Sequence, residues 1–212
     1  MVPSPKKHAP AIRDAEATKT RILDAAEEEF AKGGLLGART ESIAAKTGVT
    51  KSMIFYHFGD KEGLYSAVLE RAVSQRVASI QKTDIHNIDP EIALKNFVET
   101  FLRDLSGNSH LPAIFFYEGI QNKGRFYSQI AITSLYTPIV DILRRGTESG
   151  KFRDVDPLHA AVNIVGMCVF YYCNIDNVKH LWPAGTNPLS EEMKEMHRRM
   201  AVEQTVASVL IR

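Results

Sequence analysis

The sequence predicts an all-α protein: a small three-helix unit of helix-turn-helix type, continued by a larger helical unit. Three observations carry this reading. Apolar residues recur at helical spacing along nearly the whole chain, and no segment alternates with the period of a strand. Gly33-Gly34, Asp89-Pro90 and Asp156-Pro157 punctuate it as helix stops and starts. Residues 43–54 read as two short helices around a glycine corner.

Taken in order, the first helix is expected from about Asp14 to Lys32, with Ile22, Ala26 and Phe30 on one stripe. Short helices follow at Glu41–Lys46 and Lys51–His57. Asp60 is an N-cap candidate for a longer helix that turns Leu64, Val68, Leu69, Ala72 and Ile80 inward. Asp89-Pro90-Glu91 opens the next, with Phe97, Phe101 and Leu105 on its buried face. Another is expected near Leu111–Gln121, then one from about Arg125 to Thr147, kinked or restarted at Pro138. Asp156-Pro157 starts a helix to about Asn174, and a last one runs from Pro188 or Ser190 to the C-terminus.

Composition narrows the function classes. The 212 residues are 44% hydrophobic and 24% charged, which gives an ample core and an ordinary soluble surface. No apolar run of transmembrane length is read, so no membrane partner is expected. The start holds Pro3, Pro5, Pro10, Lys6 and Lys7 without a following apolar stretch. It reads as a disordered basic arm over 1–13 rather than a signal peptide, and the expected location is cytoplasmic. Cys168 and Cys173 lie five apart on different faces of a helix, which suits buried thiols and neither a disulfide nor a zinc site. The seven histidines are scattered. Paired catalytic carboxylates, a nucleophile elbow, a glycine-rich phosphate loop and a His-x-x-x-His helix are all missing. No enzyme activity, cofactor or metal is expected.

The net charge of +1 says little, but its distribution says more. Five basic residues face two acidic ones through residue 22, and four face two between 39 and 61. Asp24, Glu27, Glu28 and Glu29 between them make an acidic helix face. Two modest basic patches permit DNA binding without demanding it.

The segment Ile43-Ala44-Ala45-Lys46-Thr47-Gly48-Val49-Thr50-Lys51-Ser52-Met53-Ile54 is sharper. A tight corner between helices needs a residue that tolerates positive φ, which Gly48 supplies. Ala44 is small enough for close approach, Val49 plugs the corner, and Ile43 and Ile54 pack the pair together. Thr50 can cap the second helix, leaving Lys51, Ser52, Met53, Tyr56 and His57 to point outward. Such a pair presents its second helix to the DNA major groove.

Thr20-Arg21-Ile22-Leu23-Asp24-Ala25-Ala26, then Phe30, Ile43-Ala44, Gly48-Val49-Thr50 and Ile54-Phe55-Tyr56-His57-Phe58-Gly59-Asp60-Lys61-Glu62-Gly63-Leu64, together resemble the DNA-binding domain of the tetracycline-repressor family. The resemblance covers about the N-terminal third. It implies that the helix from Thr50 to His57 enters the major groove, and that Thr50, His57 and Lys61 hold phosphates. Thr50 at a helix N-terminus suits an anion. Phe55 stands where the family usually has tyrosine, and Tyr56 is either the replacement for that hydroxyl or a partly buried aromatic. Arg39, followed by Thr40, stands where a small capping hydroxyl is usual, and is either a DNA contact or a solvated side chain. Base readout falls to Lys51, Ser52 and Met53.

In the second unit, the helix after Asp156 is apolar nearly all round. Leu158, Ala161, Val162, Val165, Cys168, Val169 and Tyr172 form one stripe, and Ala160, Ile164, Met167, Tyr171 and Ile175 another. The last helix adds Leu189, Met193, Met196, Met200, Val206, Val209 and Leu210. The resemblance implies that these two helices pair with their symmetry mates in a homodimer. A small-molecule pocket is expected among Phe101, Phe115, Phe116, Glu118, Gln121, Tyr127, Met167 and Tyr171, with core packing as the competing role. Glu118 would face the ligand or pair with Arg125 or a helix N-terminus. The expected domains are therefore a reader over 14–62 and a ligand-binding and dimerisation unit over 63–212, without a linker. The function implied is a ligand-responsive repressor of operator DNA. The alternatives are a small helical enzyme and a DNA-binding regulator that senses nothing.

Overall fold

The computed structural model describes residues 9–128, 130 and 132–211. Among them are nine α-helices: α1 (Ala9–Gly37), α2 (Thr40–Thr47), α3 (Lys51–Phe58), α4 (Lys61–Gln81), α5 (Pro90–Gly107), α6 (Leu111–Gln121), α7 (Thr133–Glu148), α8 (Pro157–Val178) and α9 (Glu191–Val209). A 3-10 turn, Lys179–Leu181, follows α8. The described residues form no strand, only an isolated bridge between Phe152 and Leu210.

Helix starts follow local chemistry. Thr50, Asp60, Asp89, Asp156 and Ser190 each accept a backbone N–H from their own first turn. Each such cap is worth about 1 kcal/mol over alanine. Pro90 and Pro157 occupy the first helical position, where a missing N–H costs nothing.

Three expectations change. First, α1 begins at Ala9 and runs on to Gly37, past Gly33-Gly34. The chain turns inside it at Gly34 (φ 66°, ψ −163°), where a Cβ would lie 2.2 Å from the Gln121 side chain. Residues 9–13 of the expected arm are thus helical, while residues 1–8, with Lys6 and Lys7, lie outside the described residues. Second, the helix expected from Arg125 does not start until Thr133. Lys123 (φ 54°) and Gly124 (φ 75°) reverse the chain, and the Phe126 N–H donates to Glu118 Oε1 at 2.8 Å. Third, residues 157–181 are long and apolar enough to cross a membrane by length and composition, with mean hydropathy 1.4. His159, Asn163 and Asn174 interrupt that run in the sequence without making it polar. Within the chain α8 packs on α5, α6, α7 and α9, and leaves Leu158, Val162 and Phe170 exposed.

The core is continuous. Ile22, Ala26 and Phe30 of α1 pack with Ile43, Ile54, Leu64 and Tyr65, and the cluster extends through Phe97, Leu102 and Ile139. Helix α4 is the shared element, touching α1, α3, α5 and α7. Arg71 of α4 reaches Asp24 (2.6 Å) and Glu27 (2.9 Å) of α1. Tyr65 stacks edgewise on Phe30 and on Phe126, at 4.9 and 5.1 Å between centroids.

Candidate nucleic-acid interface and ligand cavity

The corner between α2 and α3 is made by Gly48 in the left-handed conformation (φ 72°, ψ 13°), its N–H donating to the Ala44 carbonyl at 3.0 Å. Ile43 and Ile54 are buried, and Ala44 and Val49 pack against the same core. Thr50 Oγ1 accepts the Met53 N–H at 3.2 Å and lies 2.9 Å from Ser52 Oγ. Cap and corner together fix the direction of α3. Its outer face then exposes Lys51, Ser52, Met53 and Tyr56, the last at 85% of its full accessibility. His57 is half-buried, with its ring edgewise to Tyr56 at 5.3 Å.

Lys51 pairs with Glu41 of α2 at 2.5 Å and lies over the Phe55 ring. Its hydrogen bond holds the Glu41 carboxyl below the ordinary carboxylate value. An exposed pair of this kind is weak. Arg39 is exposed and makes no capping bond through its side chain, while its N–H donates to Glu29 Oε1 at 3.2 Å.

Two expected contact residues sit differently. Thr40 is buried as the first residue of α2, its hydroxyl near the Glu41 carboxylate, because the chain entering α2 turns it inward. Lys61 donates to the carbonyls of Ala38 (2.9 Å) and Leu36 (3.4 Å), bracing the end of α1 on the start of α4. The kink at Gly34 brings those carbonyls within its reach.

A cavity of about 350 Å³ opens between α5, α6, α7 and α8. Phe101, Phe115, Phe116 and Tyr127 line it as expected of pocket residues, joined by Ile132, Leu135, Tyr136, Val162, Val165, Gly166 and Val169. The valines of α8 were readable as an apolar stripe, but their shared cavity depends on α7, which the sequence places imprecisely. Burial raises the phenol pKa of both Tyr127 and Tyr136, so both hydroxyls stay neutral.

The other four expected pocket residues lie outside this wall. Glu118 is fully buried and accepts from Phe126 N–H and from Asn122 Nδ2 (2.7 Å), so its carboxylate holds the turn after α6. Burial first, and the Glu118 carboxylate second, raise the Tyr65 phenol beside it. Arg125 pairs with Glu62 of α4 at 2.8 Å rather than with Glu118. Gln121 donates to the Gly33 carbonyl (2.9 Å) and accepts the Leu36 N–H (3.3 Å), satisfying backbone groups that the kink in α1 leaves free. Tyr171 donates to the Pro188 carbonyl at 2.6 Å and stacks on His197, with centroids 4.0 Å apart. Met167 is packed against the core. With Glu118 and Gln121 committed elsewhere, the wall is apolar and aromatic, with Tyr127 and Tyr136 as its hydroxyl-bearing members.

Residues 22–68 match the family described as bacterial regulatory proteins, tetR family, and residues 90–205 that described as the tetracyclin repressor-like C-terminal domain. The chain is 27% identical over 195 residues to an HTH-type transcriptional repressor of Streptomyces coelicolor, covering 90% of this chain and 98% of the other. It is similar in fold to a tetR-family regulatory protein from Rhodococcus, with TM-score 0.76, 21% identity and coverage of 92% and 98%. It is also similar to the transcriptional regulator FadR of Bacillus subtilis in complex with stearoyl-CoA, with TM-score 0.71, 19% identity and coverage of 89% and 97%.

Proposed function

Because the chain belongs to the tetR family of bacterial regulatory proteins, which are DNA-binding regulators, we propose that it is a cytoplasmic repressor released from a palindromic operator by a small molecule. Two copies pair through α8 and α9 and present their α3 helices to successive major grooves, roughly 34–36 Å apart. Support for the pairing comes from apolar side chains left uncovered on both helices: Leu158, Val162 and Phe170 on α8, Met196 and Met200 on α9. On the reader, Lys51 and Tyr56 bind DNA together with Thr50, Ser52, Met53, His57 and Arg39. Thr40 and Lys61 act by shaping that surface.

The observation that carries the ligand response is the double duty of α6. Its Phe115 and Phe116 form part of the cavity wall, while Tyr117 and Gln121 bond to the backbone of α1 at Lys32, Gly33 and Leu36. Just beyond α6, Arg125 pairs with Glu62 at the start of α4. A ligand that favours another seating of α6 thereby favours another seating of the reader, to the extent that it binds the two states unequally. The effector class that fits is an apolar or aromatic molecule. A chain of the same fold, from Bacillus subtilis, holds stearoyl-CoA. The activity is binding, not turnover.

The test is selection of DNA from a random duplex pool by the full chain, followed by release with an extract of the host's small molecules. Inverted repeats with half-sites about one turn apart should be enriched, and the extract should free them. Gly166→Leu fills the cavity from a position where a Cβ meets nothing within 4 Å. That variant, shown by sedimentation still to form the dimer because Gly166 lies one turn from Val162 and Phe170, should bind the same DNA and ignore the extract. Release equal to wild type would place the effector elsewhere.

A further inference from the structure

A second cleft, of about 360 Å³, lies between α4 and α5, and Gln75, Arg76, Arg103, Asp104, Gly107 and Asn108 line it. None of these residues lines the apolar cavity. Arg76 is the unusual member. Only 3% of it is accessible, yet among the described residues no carboxylate lies within 4.0 Å of its guanidinium. Its one hydrogen bond, from Nη1, goes to the Ala72 carbonyl of its own helix (2.9 Å), and Nε is buried without a partner. The nearby carboxylates are engaged elsewhere. Asp104 accepts from Ser79 Oγ, and Glu27 from Arg71 and Asn108.

A buried guanidinium without a direct ion pair is costly: burial lowers the Arg76 pKa, and the charges of Asp104 and Glu27 nearby offset only part of that shift. What repays that cost is a planar anion able to accept two parallel N–H bonds. Arg103 stands exposed on the same cleft and adds a second positive charge, while Asp104 subtracts one. Glu27, although paired with Arg71, also acts on Arg76, so the positive excess is at most one charge, which favours a monoanion over a phosphate dianion. The exposed Gln75 amide can bond a polar substituent beside the anion.

We propose that this cleft is a second ligand site, specific for a small polar monocarboxylate held by Arg76, with Arg103 at its rim. Asn108 on its wall also donates to Glu27 of α1, so occupancy is felt where α5 meets the reader.

The test uses the full chain and sodium lactate as probe, titrated against sodium chloride at equal ionic strength, with inorganic phosphate in a parallel arm. The readout is the NMR signals of the Arg76 Nε–H and the Gln75 and Asn108 side-chain amides. Lactate should give saturable shifts at these groups, and phosphate at neutral pH weaker ones. Arg76→Gln should lower the affinity about tenfold or more, Arg76→Lys should retain part of it, and Arg103→Gln should lower it less. Lactate affinity unchanged in Arg76→Gln, or shifts confined to Phe115 and Tyr127, would overturn the assignment. If Arg76→Gln fails to fold, Arg103→Gln, on the exposed rim, decides: unchanged lactate affinity there overturns the proposal equally. None of these results bears on release by the apolar cavity, which Gly166→Leu tests separately.

Discussion

The reader and the ligand-binding unit are held together by different kinds of interaction. In the reader, the corner and the helix caps are set by bonds between residues a few positions apart, Gly48 to Ala44, Met53 to Thr50 and Gly63 to Asp60. The seating of α1 on α4 uses longer reaches, from Lys61 and Arg71. In the larger unit the polar residues spend themselves on distant backbone. Gln121 bonds residues 88 and 85 positions away, and Arg145 bonds the carbonyls of Ile85, His86 and Ile88. A reader built on local bonds can keep its shape while its whole body is moved. The larger unit, tied to α1 by distant bonds, is coupled to that body wherever α6 sits.

The largest expected effect sets a buried bond of the larger unit against the exposed reader surface, at Glu118, whose bonds reach only four and eight positions along the chain. Its truncation to alanine leaves a fully buried N–H of Phe126 and the Asn122 amide unsatisfied, and should cost about 2–4 kcal/mol in urea unfolding. Arg39→Ala on the exposed reader surface should stay within about 0.5 kcal/mol. Equal losses at the two sites would erase the contrast.

Gly63→Ala comes next and probes the reader's local frame. A Cβ there would lie 2.1 Å from the Phe58 carbonyl, which is backbone and cannot swing aside. Thermal and urea unfolding should show a loss of about 1–3 kcal/mol, with operator binding falling in step. Thr50→Ala should cost about 1 kcal/mol through the lost cap, and its drop in operator affinity should exceed that stability loss.

The smallest effect lies between α8 and α9. Burial lowers the pKa of His197, whose ring stacks on Tyr171, so the folded state favours the neutral imidazole. That contribution is complete above the ordinary histidine value of 6.5 and declines as the pH falls below it. The melting temperature of His197→Phe should therefore fall less on acidification than that of the wild type.

The same contrast explains what could be read in advance. The caps at Thr50, Asp60, Asp89 and Asp156 and the corner at Gly48 were legible because each needs only its own neighbours. So was the membership of Phe101, Phe115 and Phe116 in the cavity wall, since apolar stripes point inward whatever they meet. Glu118, Gln121 and Tyr171 were not, because aromatic surroundings make a polar group look ligand-facing when its partner lies on a turn or a kinked helix. The carbonyl partners of Lys61 were not legible either, because they come within its reach only where α1 bends at Gly34. Arg76 drew no notice, for a lone arginine on a helix reads as a solvated charge until its burial is seen.

The central claim is that α3 of this chain grips DNA through its exposed face. Its most direct measurement is the affinity of the full chain for its selected operator, as wild type and as the double variant Lys51→Ala, Tyr56→Ala. Both side chains are exposed, so helix content and melting temperature should be unchanged. The account predicts a fall in affinity of at least about tenfold and a shallower salt dependence, since loss of the Lys51 cation from a phosphate removes roughly 0.9 from the slope. Wild-type affinity and an unchanged slope in the double variant would contradict it.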